Sequence, residues 1–457
     1  MGKLKRLESE KISKLLMEFS VPAIIGSLVF VLYNIVDRIF IGKGIGPYAM
    51  TAVSIAFPIF TLYVAIGMLI GQGGGTVLSI KLGQGDKEGA EKALGNSFTL
   101  FTIFSFIIMI VGVVFLDKLL IIFGATPNTL KYAKDYMGVI NFFVFFNFIA
   151  MGMNNLIRSE GNSRIAAKFM IIGAVINIIL DPILIFSLGM GIKGAGIATA
   201  IGNIISGSFV MYHFIKGKRS HVKLRRKNIM LEWVTVKEIL AIGVSPFSLQ
   251  VTSSFAAVMC NKTLLSYGGD MAVGAMGIIN SIYMFMNMTI SGIRSGSQPI
   301  IGYNYGAKRF DRVAETLKLS IIGAVSLGVI LTTLIFIMPG VFINLFNNGN
   351  KEIEAIGVHG IRIFMMFAGL NAFYIIGANY FQSVGNAKIS VFLNLLRQLI
   401  IFIPLLLILP KYFGIDGVWY IFPVSDLIIF LITLYFIKDH LKVDNSKKQQ
   451  YNYSISI

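Results

Sequence analysis

Five polar side chains lie inside apolar stretches: Asp37, Tyr136, Asn177, Asp181 and Thr199. A charge at the centre of a bilayer costs roughly 2.5–3.5 kcal/mol on insertion scales, so an acid in such a place needs a purpose. Counting about 1.5 Å per residue from the nearer helix end puts all five at one depth. Asn177 and Asp181 share a helix face, because residues four apart are neighbours. Two carboxylates close together do not both ionise cheaply, so one holds a proton or the pair shares a cation. Carboxylate, amide and hydroxyl oxygens also suit a hard cation. The chemistry is reversible uptake of Na+ or H+, that is, a coupling-ion site.

Arg38 follows Asp37 directly, but adjacent helix residues point about 100° apart, which directs Arg38 away from its neighbour. A second set of charges is Lys262, Arg294, Arg397 and Asp426, and equal depth predicts a structural ion pair between Arg397 and Asp426. The stretch IYMFMNM (282–288) carries Tyr283, Met284, Met286 and Met288. Methionine and aromatic groups fill irregular apolar space and adapt to many ligands, so this is either a core or lipid-facing stripe or the lining of a substrate cleft. Asn154 and Asn261 are the polar candidates for that cleft.

Other motifs do not hold. GMGIKG (189–194) fits GxGxxG but joins two apolar helices with no strand before it. GQGGGT (71–76) lacks the Lys-Ser/Thr of a phosphate loop. The four histidines are scattered, there is a single cysteine, Cys260, and no Ser-His-Asp, HExxH or paired-cysteine pattern occurs. No enzyme, no cofactor and no resident metal are expected, apart from a transported Na+.

The elements that position these residues follow from composition. The 457 residues are 55% hydrophobic and 14% charged, with mean hydropathy +0.76. A soluble domain is about a quarter charged, so a multi-pass membrane protein is expected. Apolar stretches of about 20 residues predict twelve spanning helices between residues 15 and 437. The net charge is +18, but the bases crowd alternate connections, above all KGKRSHVKLRRK (216–227). The positive-inside rule therefore puts both termini in the cytoplasm, with the bilayer as partner and no nucleic acid.

The chain also repeats itself. Pro22 aligns with Pro246 and Gly161 with Gly385, both at an offset of 224 (246 − 22 and 385 − 161). Six helices per copy make parallel repeats, which predicts an all-α membrane protein of two pseudo-symmetric six-helix lobes around a central cleft. The expected divisions are an N-terminal lobe 1–215, a basic cytoplasmic linker 216–236, a C-terminal lobe 237–437 and a cytoplasmic tail 438–457. Asp37 falls opposite Asn261 and Asp181 opposite Leu405, so only the first lobe carries these two acids.

YNIVDRIFIG, IRSEGNSRIAAKFM, INIILDPILIFSLGMGIKGAGIAT, GSQPIIGYNYGAKRFDR and RQLIIFIPLLLILP, spread over both halves, resemble the multidrug and toxic compound extrusion (MATE) transporters. The resemblance implies a monomeric antiporter of a bacterial-type plasma membrane that expels small lipophilic, often cationic, compounds against inward Na+ or H+. It implies that Asp37, Asn177, Asp181 and Thr199 form a first-lobe cation site, with Tyr136 nearby. SSFAAVMCNKTLLS has no acid where one branch has a second cation site, so the chain looks DinF-like or MepA-like. Pro22, whose ring removes a helix hydrogen bond, is the expected bend in the first helix. The alternative is a flippase of lipid-linked saccharides, for which Lys262 and Arg294 would meet an anionic headgroup.

Overall fold

The computed structural model describes residues 2–346 and 351–455, with side chains described for 6–346 and 351–442. Among these the regular structure is helical, without strands. After a short helix, Gly2–Ser9, the spans are α1 (Ile12–Gly44), α2 (Pro47–Gly83), α3 (Lys87–Ile122), α4 (Pro127–Phe142 with Val144–Ser159), α5 (Ser163–Ser187) and α6 (Gly191–Ile215). A 74-residue helix, Trp233–Gly306, is broken at Gly269 (φ 66°), which divides it into α7 (233–268) and α8 (270–306). Then come α9 (Phe310–Ile337), α10 (Lys351–Phe364 with Ala368–Ser383), α11 (Ala387–Phe413) and α12 (Ile415–Ile455). Taking each bent pair as one span and dividing the 74-residue helix at Gly269, the described residues contain twelve, as composition predicts.

The ends follow local chemistry. Proline stands at the first positions of α2 and α4, where its missing N–H is harmless. Asp86 caps α3 by accepting from Gly89 N at 2.8 Å. Gly161 (φ 93°) and Gly385 (φ 80°), equivalent in the repeat, make the same left-handed turn before α5 and α11.

Two spans that read as single helices are bent. α4 bends by 64° at Phe143 and α10 by 52° near Phe367. Both phenylalanines leave helical geometry (ψ 15° and 27°), and they are again equivalent, since 367 − 143 = 224.

The chain forms two compact units, one built on Val21–Phe247, the other on Lys5–Ser20 with Ser248 onward. The division between these units falls inside α1 and α7. The cause lies in the segments that precede these two helices. In the second unit, buried Arg312 donates to the carbonyls of Leu7 (2.9 Å) and Glu10 (2.6 Å), and Asn304 Nδ2 donates to Leu7 O at 3.1 Å. In the first, Thr99 Oγ1 donates to Ile229 O at 2.6 Å, and Asn96 Oδ1 accepts from Glu232 N at 2.7 Å. Leu7-Glu8 and Leu231-Glu232 are the same positions of the repeat (231 − 7 = 224). The helix of α12 continues through the expected tail to Ile455, and residues 456–457 lie outside the described residues.

The glycine run of GQGGGT has a packing role. A Cβ on Gly73 would sit 2.1 Å from Ile239 O, and one on Gly243 would sit 1.7 Å from Leu69 O. α2 and the first turns of α7 therefore cross backbone to backbone, as small residues permit in membranes.

Candidate cation-coupling site in the first unit

α5 and α6 also cross closely. A Cβ on Gly202 would meet Gly173 O at 2.7 Å, and one on Gly173 would meet Gly202 O at 3.0 Å. One turn along each helix, this brings Asn177 of α5 to Thr199 of α6, whose Oγ1 accepts from Asn177 Nδ2 at 3.2 Å. The same nitrogen lies 3.5 Å from Asp181 Oδ1. Directly after Asp181, Pro182 supplies no N–H and the helix widens into a π-turn, Ile183–Ser187, a distortion common at functional sites.

α1 adds Asp37, and α4 adds half-buried Tyr136. Asp37, Asn177 and Asp181 are 5%, 2% and 0% exposed. Asp37 and Asp181 lie within electrostatic reach of each other and of Tyr136. All five residues singled out by their depth thus belong to one unit and one neighbourhood.

Three oxygens in this cluster are buried without a hydrogen-bond donor among the described residues: Asp37 Oδ1, Asn177 Oδ1 and Asp181 Oδ2. Amide and ionised carboxylate oxygens only accept, so each needs a donor or a cation. A buried polar group that lacks a partner calls for an explanation, and here three gather in one neighbourhood.

Arg38 lies within electrostatic reach of Asp37 but makes no ion pair with it. It is exposed, and its guanidinium lies over the Phe57 ring, 5.5 Å from the centroid. Tyr33, one turn before Asp37, was not singled out by composition, although its i, i+4 spacing marks it. It lies within electrostatic reach of both acids and lines a recess beside Asn177, Thr199, Asn203 and Ser206. Asn203 extends the polar face of α6 by one turn from Thr199.

One family model, MatE, matches this chain twice, over residues 22–183 and again over 247–408. The two matches fall on the two copies of the repeat. The chain belongs to the MatE family. It is 28% identical over 442 residues to "Multidrug export protein MepA" of Staphylococcus haemolyticus (strain JCSC1435), covering 96% of this chain and 97% of that protein. It is also 28% identical over 448 residues to the protein of that name from Staphylococcus aureus (strain MSSA476), with the same coverage. Two solved structures share the fold at 24% identity. "Crystal structure of MATE in complex with MaL6" superposes with a TM-score of 0.92, covering 96% of this chain and 99% of that one. "Outward-facing conformation of a multidrug resistance MATE family transporter of the MOP superfamily" does so with 0.91, covering 96% and 98%. This MatE chain is accordingly a multi-pass membrane transporter, with its twelve helices in two lobes.

The remaining candidates of this MatE protein are dispersed. Asn154 is 1% exposed and donates to Ala166 O at 2.9 Å, a tie between α4 and α5. Asn261 and Lys262 are exposed on α7. Along α8, Met284 is 41% exposed, Met286 is buried and Met288 is half-buried, so the three share no face. The Arg397–Asp426 pair forms, Nη2 to Oδ1 at 3.0 Å, and Tyr283 lies within electrostatic reach of it. Among the described residues no three His, Cys, Asp or Glu side chains gather to hold a metal ion.

One cluster went unread in the sequence. Glu160, 0% exposed, accepts at Oε1 from His213 Nε2 (2.5 Å) and Asn162 Nδ2 (2.8 Å). Its Oε2 accepts from Ser220 Oγ (2.9 Å) and from the N–H groups of His221 (2.9 Å) and Val222 (3.4 Å). The basic segment after α6 is thereby closed onto the end of α4. The repeat held the signal: the positions equivalent to Glu160 and His213 are Val384 and Ile437, both buried and apolar (384 − 160 = 224; 437 − 213 = 224).

Proposed function

We propose that the protein is an antiporter, and not an enzyme, that exports small lipophilic, often cationic compounds in exchange for an inward-moving Na+ or H+. The observation that carries this reading is the trio of buried, donorless oxygens on Asp37, Asn177 and Asp181. A proton or Na+ arriving at the two acids supplies what those oxygens lack. Departure of that cation leaves two carboxylates with no cation held against them, a state that a cationic drug in the neighbouring recess stabilises. Drug and ion then oppose one another, and the coupling is reciprocal in equilibrium binding. The multidrug export named for the MepA relatives supports the choice of cargo. The flippase alternative draws no support from the comparisons.

The two six-helix repeats fit alternating access, in which one repeat moves against the other. Pro22 lies inside an unbroken α1, one residue past the point where that helix enters the first unit, a position suited to a bend. The protein works as a monomer in a bacterial-type plasma membrane with both termini in the cytoplasm.

The test is accumulation of a lipophilic cationic dye in cells expressing the protein. Asp37→Asn should raise accumulation to that of cells without the transporter while the variant stays at normal level in the membrane. Wild-type efflux by Asp37→Asn rules out this cluster as the coupling site.

A further inference from the structure

The segment between α6 and α7 is strapped along the first turns of α3. Buried Glu91 of α3 pairs with Arg225 (Nε to Oε2, 2.8 Å) and accepts from Lys223 N at 3.3 Å. Glu88 pairs with Lys227 at 3.1 Å, and Lys92 with Glu232 at 3.2 Å. A Cβ on Gly95 would sit 2.1 Å from Asn228 O, so the backbone of the segment rests directly on the helix. Beside it Asn96 Nδ2 donates to Met230 O at 3.3 Å, and one turn further on Thr99 holds Ile229 O.

These contacts set the height of the segment in the bilayer. α3 has no charged residue from Ala93 to Leu116, a length of about 36 Å at 1.5 Å per residue, against about 30 Å for the hydrocarbon core. Asn96 and Thr99 therefore stand just inside the edge of the hydrocarbon, and Glu88 and Glu91 outside it, among the headgroups. Met230 follows the first pair, and Arg225 and Lys227 the second.

At the deeper level the segment is apolar and bare. Met230 is 80% and Trp233 70% exposed, with Leu231 and Val234 exposed beside them. The fold does not require this, because the first copy of the repeat has Arg6, Ser9 and Glu10 at the places of Met230, Trp233 and Val234 (230 − 6 = 224). There Arg6 pairs with Glu10 and with Glu18, each at 2.7 Å. Tryptophan suits the headgroup level of a membrane, where its ring is partly wet.

At the outer level one cation is free. Arg226 opens a short 3-10 turn, Arg226–Asn228, between two bases already paired with Glu91 and Glu88. It is exposed, and among the described residues its side chain makes no ion pair and no hydrogen bond. Guanidinium grips a phosphate with two parallel hydrogen bonds.

We infer that residues 225–234 form a binding surface for an anionic phospholipid, with the phosphate at Arg226 and the acyl chains along Met230, Leu231 and Trp233. The surface shares no residue with the cation cluster or its recess, and it needs neither a cargo nor a coupling ion.

The test reads the lipid beside Trp233. The chain has one other tryptophan, Trp419, which is fully buried, and a Trp233→Phe protein supplies its background signal. Full-length protein is placed in equimolar phosphatidylcholine and phosphatidylglycerol, with one or the other brominated near the glycerol end of its chains, and quenching of Trp233 is compared. The leaflets are identical, so the outcome is independent of orientation and of export. Wild type should prefer phosphatidylglycerol by about fivefold, the effect of one base at an anionic surface. Arg226→Gln, which breaks no contact of the fold, should bring the two lipids to near parity, and Arg226→Lys should keep most of the preference. Glycerol 3-phosphate at millimolar concentration should change nothing. Equal quenching by both lipids in wild type, or a preference that survives Arg226→Gln, overturns the assignment. Loss of the preference in glycerol 3-phosphate also overturns it, by giving Arg226 to a free phosphate.

Discussion

Replacing Glu160 by glutamine removes one charge and keeps the shape, so it measures what the carboxylate holds. Two donors meet Oε1 and three meet Oε2, and the side chain is fully buried. An amide has one acceptor oxygen. Turned with its NH2 toward Oε1's place it opposes Asn162 Nδ2, while His213 can accept in its other tautomer; turned the other way it opposes the His221 and Val222 N–H groups. At least one bond to a buried charge, about 1.5–3 kcal/mol, is lost, and the remaining bonds weaken because their acceptor is now neutral, so about 3 kcal/mol is expected overall. That is a rise of roughly a hundredfold in opening of the 219–222 segment. Hydrogen exchange of the His221 and Val222 amides in Glu160→Gln reads it directly, with exchange about a hundredfold faster than wild type. Unchanged exchange at both amides would refute the reasoning, because it would mean that backbone packing alone holds the segment. Ser220→Ala, which removes one donor to that charge, should produce only about a tenth of the effect on exchange, since a single such bond contributes about 1.5 kcal/mol.

Three other outcomes follow from the packing. Gly243→Ala places a Cβ 1.7 Å from a backbone carbonyl, so α2 and α7 must separate, and thermal stability in detergent should fall by several degrees. Arg312→Lys keeps the charge but not the fork that spans the Leu7 and Glu10 carbonyls, and limited proteolysis should cut the segment before α1 sooner than in wild type. Asn96→Ala strips a donor and an acceptor from the segment before α7 at once, and exchange of the Glu232 amide should rise by about tenfold or more.

The candidate site was legible because an acid within an apolar run contrasts with everything around it. Asp37 and Asp181 stand out by type, and helical spacing joins Asn177 to them. The repeat was legible because turns need special residues, so Gly161 and Gly385 keep its register. The bends at Phe143 and Phe367 were not legible, since phenylalanine has no breaker chemistry and only the shared offset relates them. The division of the chain inside α1 and α7 was also hidden. It rests on Arg312 and Thr99 reaching backbone carbonyls, and a carbonyl has no signature in the sequence. Glu160 and His213 could have been found by the comparison that set Asp37 against Asn261, because their equivalents in the second half are an apolar pair.

The most direct measurement is drug efflux from proteoliposomes holding purified protein, driven by an inward Na+ gradient alone and then by a proton gradient alone. Wild type should move a lipophilic cation uphill under at least one of them, and both Asp37→Asn and Asp181→Asn should abolish that movement. Uphill export that persists in both variants, or that needs neither gradient, contradicts cation coupling at this cluster.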